Sequence, residues 1–238
     1  MGKNILSRFL LIGFLFAGVS CSNDDVPNDP ESTVSLNMLD EGHGKTWLGE
    51  SDVYINDANN FYAYSCLIAD VGEAGGVGVT MPPKLENLVH EVAVTPGHIY
   101  QVFDNEAVRE FPSGARAVAV GAEYYRFFVV SPILVDDKST GAIVKYVLVS
   151  PDTKELPEYG HVIGKVNYVG EQASMELPEG AECFWYGGIP EVFDVSTDDG
   201  ILKMTLAKTP TEYNGVQGNY NVYVRLDDVY TSVVVQVK

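Results

Sequence analysis

Toward the C-terminus, apolar and polar positions alternate almost without interruption. In "ILKMTLAK", Leu202, Met204 and Leu206 alternate with Lys203 and Thr205. In "YNVYVRL", Tyr220, Val222, Val224 and Leu226 alternate with Asn221, Tyr223 and Arg225, and "SVVVQVK" sets Val233, Val235 and Val237 on one side. A period of two over such lengths belongs to extended strands with one face in a core and the other toward water. The same period runs through "SDVYINDANNFYAYSCLIADVG", two strands around the "NDANN" turn, and through "ARAVAVGAEYYRFFVVSPI" and "GAIVKYVLVS". "EVAVTPGHIYQVF" reads as strand, turn, strand, because Pro96 and Gly97 suit the central positions of a type II turn. Helical spacing is scarce. Leu85, Leu88, Val89 and Val92 after Pro83 predict one short helix, and Asp104 to Phe111 predicts one or two further turns. The expected fold class is all-β.

The pattern breaks at "SPDTKELPEYG", Ser150 to Gly160, where two prolines and mixed charges interrupt the strands. Two β-rich domains are therefore expected, residues 33–150 and 158–238. The second holds about seven strand candidates with frequent turn signals, the number and density of an immunoglobulin-like sandwich. "GNYNV", Gly218 to Val222, resembles the tyrosine-corner segment of that class, with Val222 where antibody domains place cysteine and Trp185 as a core aromatic opposite. This resemblance is to an architecture and implies no activity.

The first 20 residues follow another logic. Lys3 and Arg8 precede the apolar run "FLLIGFLFAGV", and small residues surround Cys21, the three zones of a secretory signal. The run falls short of the roughly 20 apolar residues that a membrane-spanning helix needs. "GVSC", Gly18 to Cys21, resembles the lipobox of bacterial lipoproteins, departing from it by Gly18 where that family usually has Leu. The resemblance implies that residues 1–20 are removed and that the Cys21 thiol is acylated to hold the protein at a membrane. "CSNDD" resembles the surface-export signal of Bacteroidetes lipoproteins, which implies display on the outer membrane. Residues 21–32, acidic and with two prolines, are expected to be a disordered tether. From "GKTWLGESDVYINDANNFYAY" through "PGHIYQVF" to "FPSGARAVAVGAEYYRFFVV", the chain resembles a group of uncharacterised Bacteroides-type lipoproteins known as a domain of unknown function. That resemblance supplies no catalytic residues.

Charge narrows the partners. The chain carries 15 Lys and Arg against 33 Asp and Glu, a net charge of −18, which becomes −20 once Lys3 and Arg8 leave with the signal. Such a surface repels nucleic acid and anionic headgroups. Cys66 and Cys183 both sit in strand-like apolar runs, so two buried thiols acting as small hydrophobes are favoured over a disulfide, although an oxidising envelope permits one.

Candidate chemistry is thin. "LDEGHGKT", Leu39 to Thr46, lacks the first glycine of a phosphate-binding loop and leads into an extended stretch, so a hairpin turn is expected. The glycine-rich "GEAGGVGV" matches no nucleotide fingerprint and reads as a mobile connection. "DVSTDDG", Asp194 to Gly200, departs from a calcium loop in both its glycine and its last ligand, and is expected to be a turn, as is "NDANN". The four histidines are far apart, and no G-x-S-x-G elbow occurs. Carboxylate pairs suited to glycoside hydrolysis are left open by so acidic a chain. No catalytic residue, metal or cofactor is assigned.

The aromatics carry the best hint. Exposed rings stack on sugar faces while neighbouring Asn and Asp bind hydroxyls, and the same rings also fill β cores. Trp47, Tyr62, Tyr64, Tyr124 and Tyr125 are the expected ligand-binding positions, with Tyr124 and Tyr125 forced onto opposite faces of one strand. The expected function is a lipid-anchored, non-catalytic binding module, with a glycan as the specific ligand. The alternatives are an accessory subunit of an outer-membrane surface complex and, third, a secreted hydrolase.

Overall fold

The structure is a computed structural model. It describes residues 32–37, 46–48, 51–79, 81–153, 155–186, 189–208 and 218–238, with side chains from Val53 onward. The signal segment, residues 21–31 of the expected tether (Cys21 included) and the loop 39–45 lie outside the described residues, whereas Ser32, expected in the tether, is already in a strand and pairs with Tyr146.

The chain is all-β. Before the proline-rich break run β1 (Ser32–Asn37), β2 (Thr46–Leu48), β3 (Ser51–Ile55), β4 (Asn60–Ala63), β5 (Cys66–Glu73), β6 (Glu91–Ala93), β7 (His98–Asp104), β8 (Val108–Glu110), β9 (Arg116–Ala119), β10 (Tyr124–Val135) and β11 (Lys138–Val149). After it come β12 (His161–Val166), β13 (Gln172–Glu176), β14 (Glu182–Trp185), one helical turn α1 (Ile189–Val192), β15 (Phe193–Ser196), β16 (Ile201–Leu206), β17 (Gly218–Leu226) and β18 (Val229–Val237).

In the first half a five-stranded sheet, β1-β11-β10-β7-β5, packs on a four-stranded one, β2-β3-β4-β6. Alternation places Val53, Ile55, Phe61 and Ala63 of the smaller sheet against Tyr100, Val102, Phe127 and Val129 of the larger. The rings interlock edge to face, Phe61 on Tyr100 at 4.9 Å, an arrangement that adds to the value of burial alone. Inside that core the Tyr100 hydroxyl donates to the Ala93 carbonyl at 2.7 Å and accepts from the Thr95 N–H at 2.9 Å. The expected turns are present. Gly97 takes φ +81° and the His98 N–H donates to the Thr95 carbonyl at 3.2 Å, the closure of a type II turn. At "NDANN" the Asn56 side chain accepts from the Ala58 and Asn60 N–H groups while Asn59 takes φ 60°.

In the second half β13-β16-β15 form one sheet, and β14-β17-β18 form the other with β12 parallel along β18. Leu202, Met204 and Leu206, all fully buried, meet Val222, Val224, Val233 and Val235. The two sheets touch where β12 passes β13: a Cβ at Gly164 would stand 2.5 Å from that of Ala173, so only glycine fits there. Trp185 packs partly buried against this core, and Tyr220 lies edge to face on Phe193 at 5.1 Å. Of the stretch expected to be a turn, Asp194 to Ser196 belong to β15 and only residues 197–200 turn into β16, with Asp199 and Gly200 at positive φ.

The core continues across the proline-rich break. The β8–β9 hairpin, from the first half, adds to the second-half sheet because β9 pairs in parallel with β18 through Val118 and Ala119. Ala69, Leu85, Leu88, Phe103 and Tyr124 join the same cluster as Leu202 and Val222. Both faces of the five-stranded sheet are thus covered.

Two local expectations are corrected. The helix after Pro83 is a single 3-10 turn, Leu85–Asn87, and Val92 lies in β6. Buried Gln101 accounts for it by fixing the connection, accepting from the Lys84 N–H at 2.8 Å and donating to the Pro82 carbonyl at 2.9 Å. Asp104 to Phe111 is turn and strand. The Asp104 carboxylate accepts from the Glu106 N–H at 2.7 Å, closing a turn that delivers Val108 to its partner Val118.

Candidate functional site

The outward face of the second-half sheet carries the strongest candidate. Where Val222, Val224 and Val229 turn into the sandwich, Tyr223 and Tyr230 turn out. The β8–β9 hairpin brings Arg109 and Phe111 to the same face, and β14 brings Phe184, opposite Tyr223 in register. Four tyrosines contact one another in sequence across this face. Tyr159 meets Tyr230 at 6.1 Å between ring centres, Tyr230 meets Tyr223 at 6.1 Å, and Tyr223 meets Tyr186 at 6.0 Å, each pair edge to face. The middle of the strip is fixed and its ends are open: Tyr230 is 1% exposed, Tyr159 50% and Tyr186 46%. Burial pushes the Tyr230 phenol above its ordinary value, so it stays protonated and neutral.

Arg109 locks the strip. Its guanidinium lies 4.0 Å from the centre of the Tyr223 ring and 5.8 Å from that of Tyr230, within the range of a cation–π contact. Arg225 on the same face bonds to Glu182 and donates to the Asp227 carbonyl at 3.0 Å.

A recess opens at each end. The one beside Tyr159 and Tyr230 has a volume of about 760 Å³ and is lined by Asp104, Glu106, Glu123, Tyr125 and Leu148 among others. The one beside Tyr186 and Tyr223 has a volume of about 390 Å³ and is lined by Arg109, Asn219 and Asn221 as well. Both fall in the size range of small-ligand sites. One end is acidic, while the other combines a guanidinium with two amides. Chemically the face offers flat apolar rings flanked by hydrogen-bonding groups. Among the described residues no group of three His, Cys, Asp or Glu side chains is placed to hold a metal ion.

The positions named from the sequence fall in three places. Tyr62 lies 5.1 Å from Tyr54 across β3–β4, with Tyr64 63% exposed beyond it. Trp47 stands opposite Asp52 in the β2–β3 ladder. Beside this smaller patch, hydrogen bonds from Asn60 and Asn56 hold the Glu91 carboxyl below the usual carboxylate range. Tyr125 is half-buried, edge to face with Tyr146 at 6.0 Å, and borders the larger recess. Tyr124 does not fit a ligand-binding role. It is 2% exposed and stacked on Phe103 at 4.5 Å, because the second half covers that face of β10.

Sequence reasoning missed Tyr159, Tyr186, Tyr223, Tyr230 and Arg109. A signal was present in β17, where Tyr223 shares its phase with Asn219, Asn221 and Arg225 and so belongs to the polar side. No disulfide joins Cys66 and Cys183. Burial pushes the Cys183 thiol up to about 12, leaving it protonated and unreactive at neutral pH.

Residues 35–238 match the model of a family described as a domain of unknown function, DUF5036. No curated protein matches the chain.

Proposed function

The chain belongs to the DUF5036 family, a domain of unknown function, and from that premise we propose that it is a lipid-anchored, surface-displayed binding module whose ligand is a glycan. One observation carries the reading: a strip of four tyrosines, buried at its middle and open at both ends, crosses a sheet face between two recesses. A sugar ring presents an apolar C–H face and a rim of hydroxyls. Stacking on Tyr159 or Tyr186 would bury the first, while Asn219 and Asn221, or the carboxylates of the larger recess, would bond to the second. Rigid rings lose little entropy on binding, which favours them as anchors.

The remaining parts fit a displayed module. The pairing β13-β16-β15 against β14-β17-β18, with β12 parallel to β18, supports an immunoglobulin-like second half acting as the scaffold. The sequence from Lys3 to Cys21 supports lipid attachment at Cys21 and an outer-membrane address. A non-catalytic role is supported by Asp104, one of three acids lining the larger recess, whose Oδ1 accepts from the Glu106 N–H in the turn before β8.

The test is affinity electrophoresis of the purified full-length chain in detergent through gels containing a broad series of polysaccharides. Retardation by at least one of them is expected, and replacing Tyr159 and Tyr186 together by Ala should abolish it. Unchanged mobility across the whole series would contradict glycan binding.

A further inference from the structure

We infer that the recess at the Tyr186 end receives the carboxylate of an acidic sugar, so that the glycan lying on the tyrosine strip carries a uronic-acid-type unit at that position. This rests on the glycan reading and adds to it the charge and orientation of the ligand.

Three observations converge. The first is a local reversal of charge. The protein is strongly acidic, yet the strands of this face turn Arg109, Asn219, Asn221, Arg225 and Gln236 outward, and the acid among them, Glu182, is taken by Arg225. The second is an arginine without an acidic partner. Arg116 bonds to Glu110 at 3.3 Å and Arg225 to Glu182, whereas Arg109 forms no ion pair among the described residues and has the neutral Tyr230 hydroxyl as its side-chain hydrogen-bond partner. A guanidinium without a counter-charge gains from a ligand that supplies one. The third is geometry. Stacking on Tyr223 uses the face of the guanidinium and the Tyr230 hydroxyl takes one of its N–H groups, so the rest of the edge is what a carboxylate would meet. Arg109 and the two amides line one recess of about 390 Å³, room for a single sugar unit.

The experiment compares trimers of galacturonate, glucuronate and mannuronate with their methyl esters, by titration calorimetry on the purified full-length chain. Esterification keeps every ring and hydroxyl, removes the charge and adds one methyl group. At least one acid is expected to bind about tenfold or more tightly than its ester, the scale of a charge-assisted hydrogen bond pair. Arg109→Gln should remove that difference, and Arg109→Lys, which keeps charge without the flat fork, should restore part of it. Equal binding of acid and ester by the native protein overturns the carboxylate assignment and leaves the strip as the glycan site. A sulfated trimer preferred over every carboxylated one overturns it as well. Binding of neither acid nor ester overturns it too, and when neutral polysaccharides are also not retained the glycan reading falls with it. The acid-to-ester comparison uses the unmutated chain, so it decides the assignment even where a variant folds poorly.

Discussion

A Tyr230→Ala chain is expected to lose about 3–5 kcal/mol of folding stability, the range for removing a buried aromatic ring, and to lose glycan binding with it. Tyr230 is 1% exposed and is the residue on which the strip converges: Phe111 at 5.6 Å, Tyr159 at 6.1 Å, Tyr223 at 6.1 Å and the Arg109 guanidinium at 5.8 Å all meet its ring. Removing it leaves a cavity under both Tyr159 and Tyr223, so the open rings at the ends of the strip lose their fixed spacing. For a protein of this length the thermal midpoint should fall by roughly 10 °C or more. Tyr124→Ala separates the two effects. Tyr124 is equally buried and stacks on Phe103 in the seam between the halves, with no ring contact to a strip tyrosine among the described residues. Its loss should cost about as much stability while polysaccharide retardation persists at a temperature where the variant is folded. Loss of retardation in both variants would make binding a mere reporter of stability.

Cys21→Ala is expected to move the protein from the membrane fraction to the soluble fraction and to eliminate incorporation of labelled palmitate. The effect should be nearly all-or-none. Each buried methylene contributes about 0.8 kcal/mol, so two or more acyl chains hold a protein where one would let it exchange. Among the described residues no helix is long and apolar enough to cross a membrane, and a surface this acidic gains nothing from anionic headgroups. A Cys21→Ala protein that stays in the membrane fraction, or an unlabelled native chain, removes the anchor and the proposed address.

Legibility from sequence follows the range of the interactions. Strand alternation is local, and Leu202, Met204 and Leu206 are buried as their spacing predicts. The turns at Pro96-Gly97 and at "NDANN" are local too, since proline, glycine and asparagine set the backbone angles themselves. Asp104 to Phe111 misled because short runs of Glu, Ala and Arg favour helix, whereas the pairing of Val108 with Val118 and of β9 with a strand more than a hundred residues away decides the outcome. Tyr124 misled for a similar reason. Alternation separates it from Tyr125, but only the packing of the second half onto the five-stranded sheet reveals that its face is covered. The strip is the extreme case. Arg109, Tyr159, Tyr186, Tyr223 and Tyr230 come from five separate segments, and what unites them is parallel pairing along β18 and the hairpin that curls over its outer face. The aromatic-rich segments "FWYGG" and "EYNGVQGNY" pointed to the region, without indicating which rings face water.

The location of the bound glycan is best measured by hydroxyl-radical footprinting of the full-length chain, with and without an oligosaccharide that it retains. Protection of Tyr159 and Tyr186, with Tyr64 reacting equally in both states, is the predicted result. Protection confined to Tyr54, Tyr62 and Tyr64, with Tyr159 and Tyr186 unchanged, would contradict it and move the site to the four-stranded sheet.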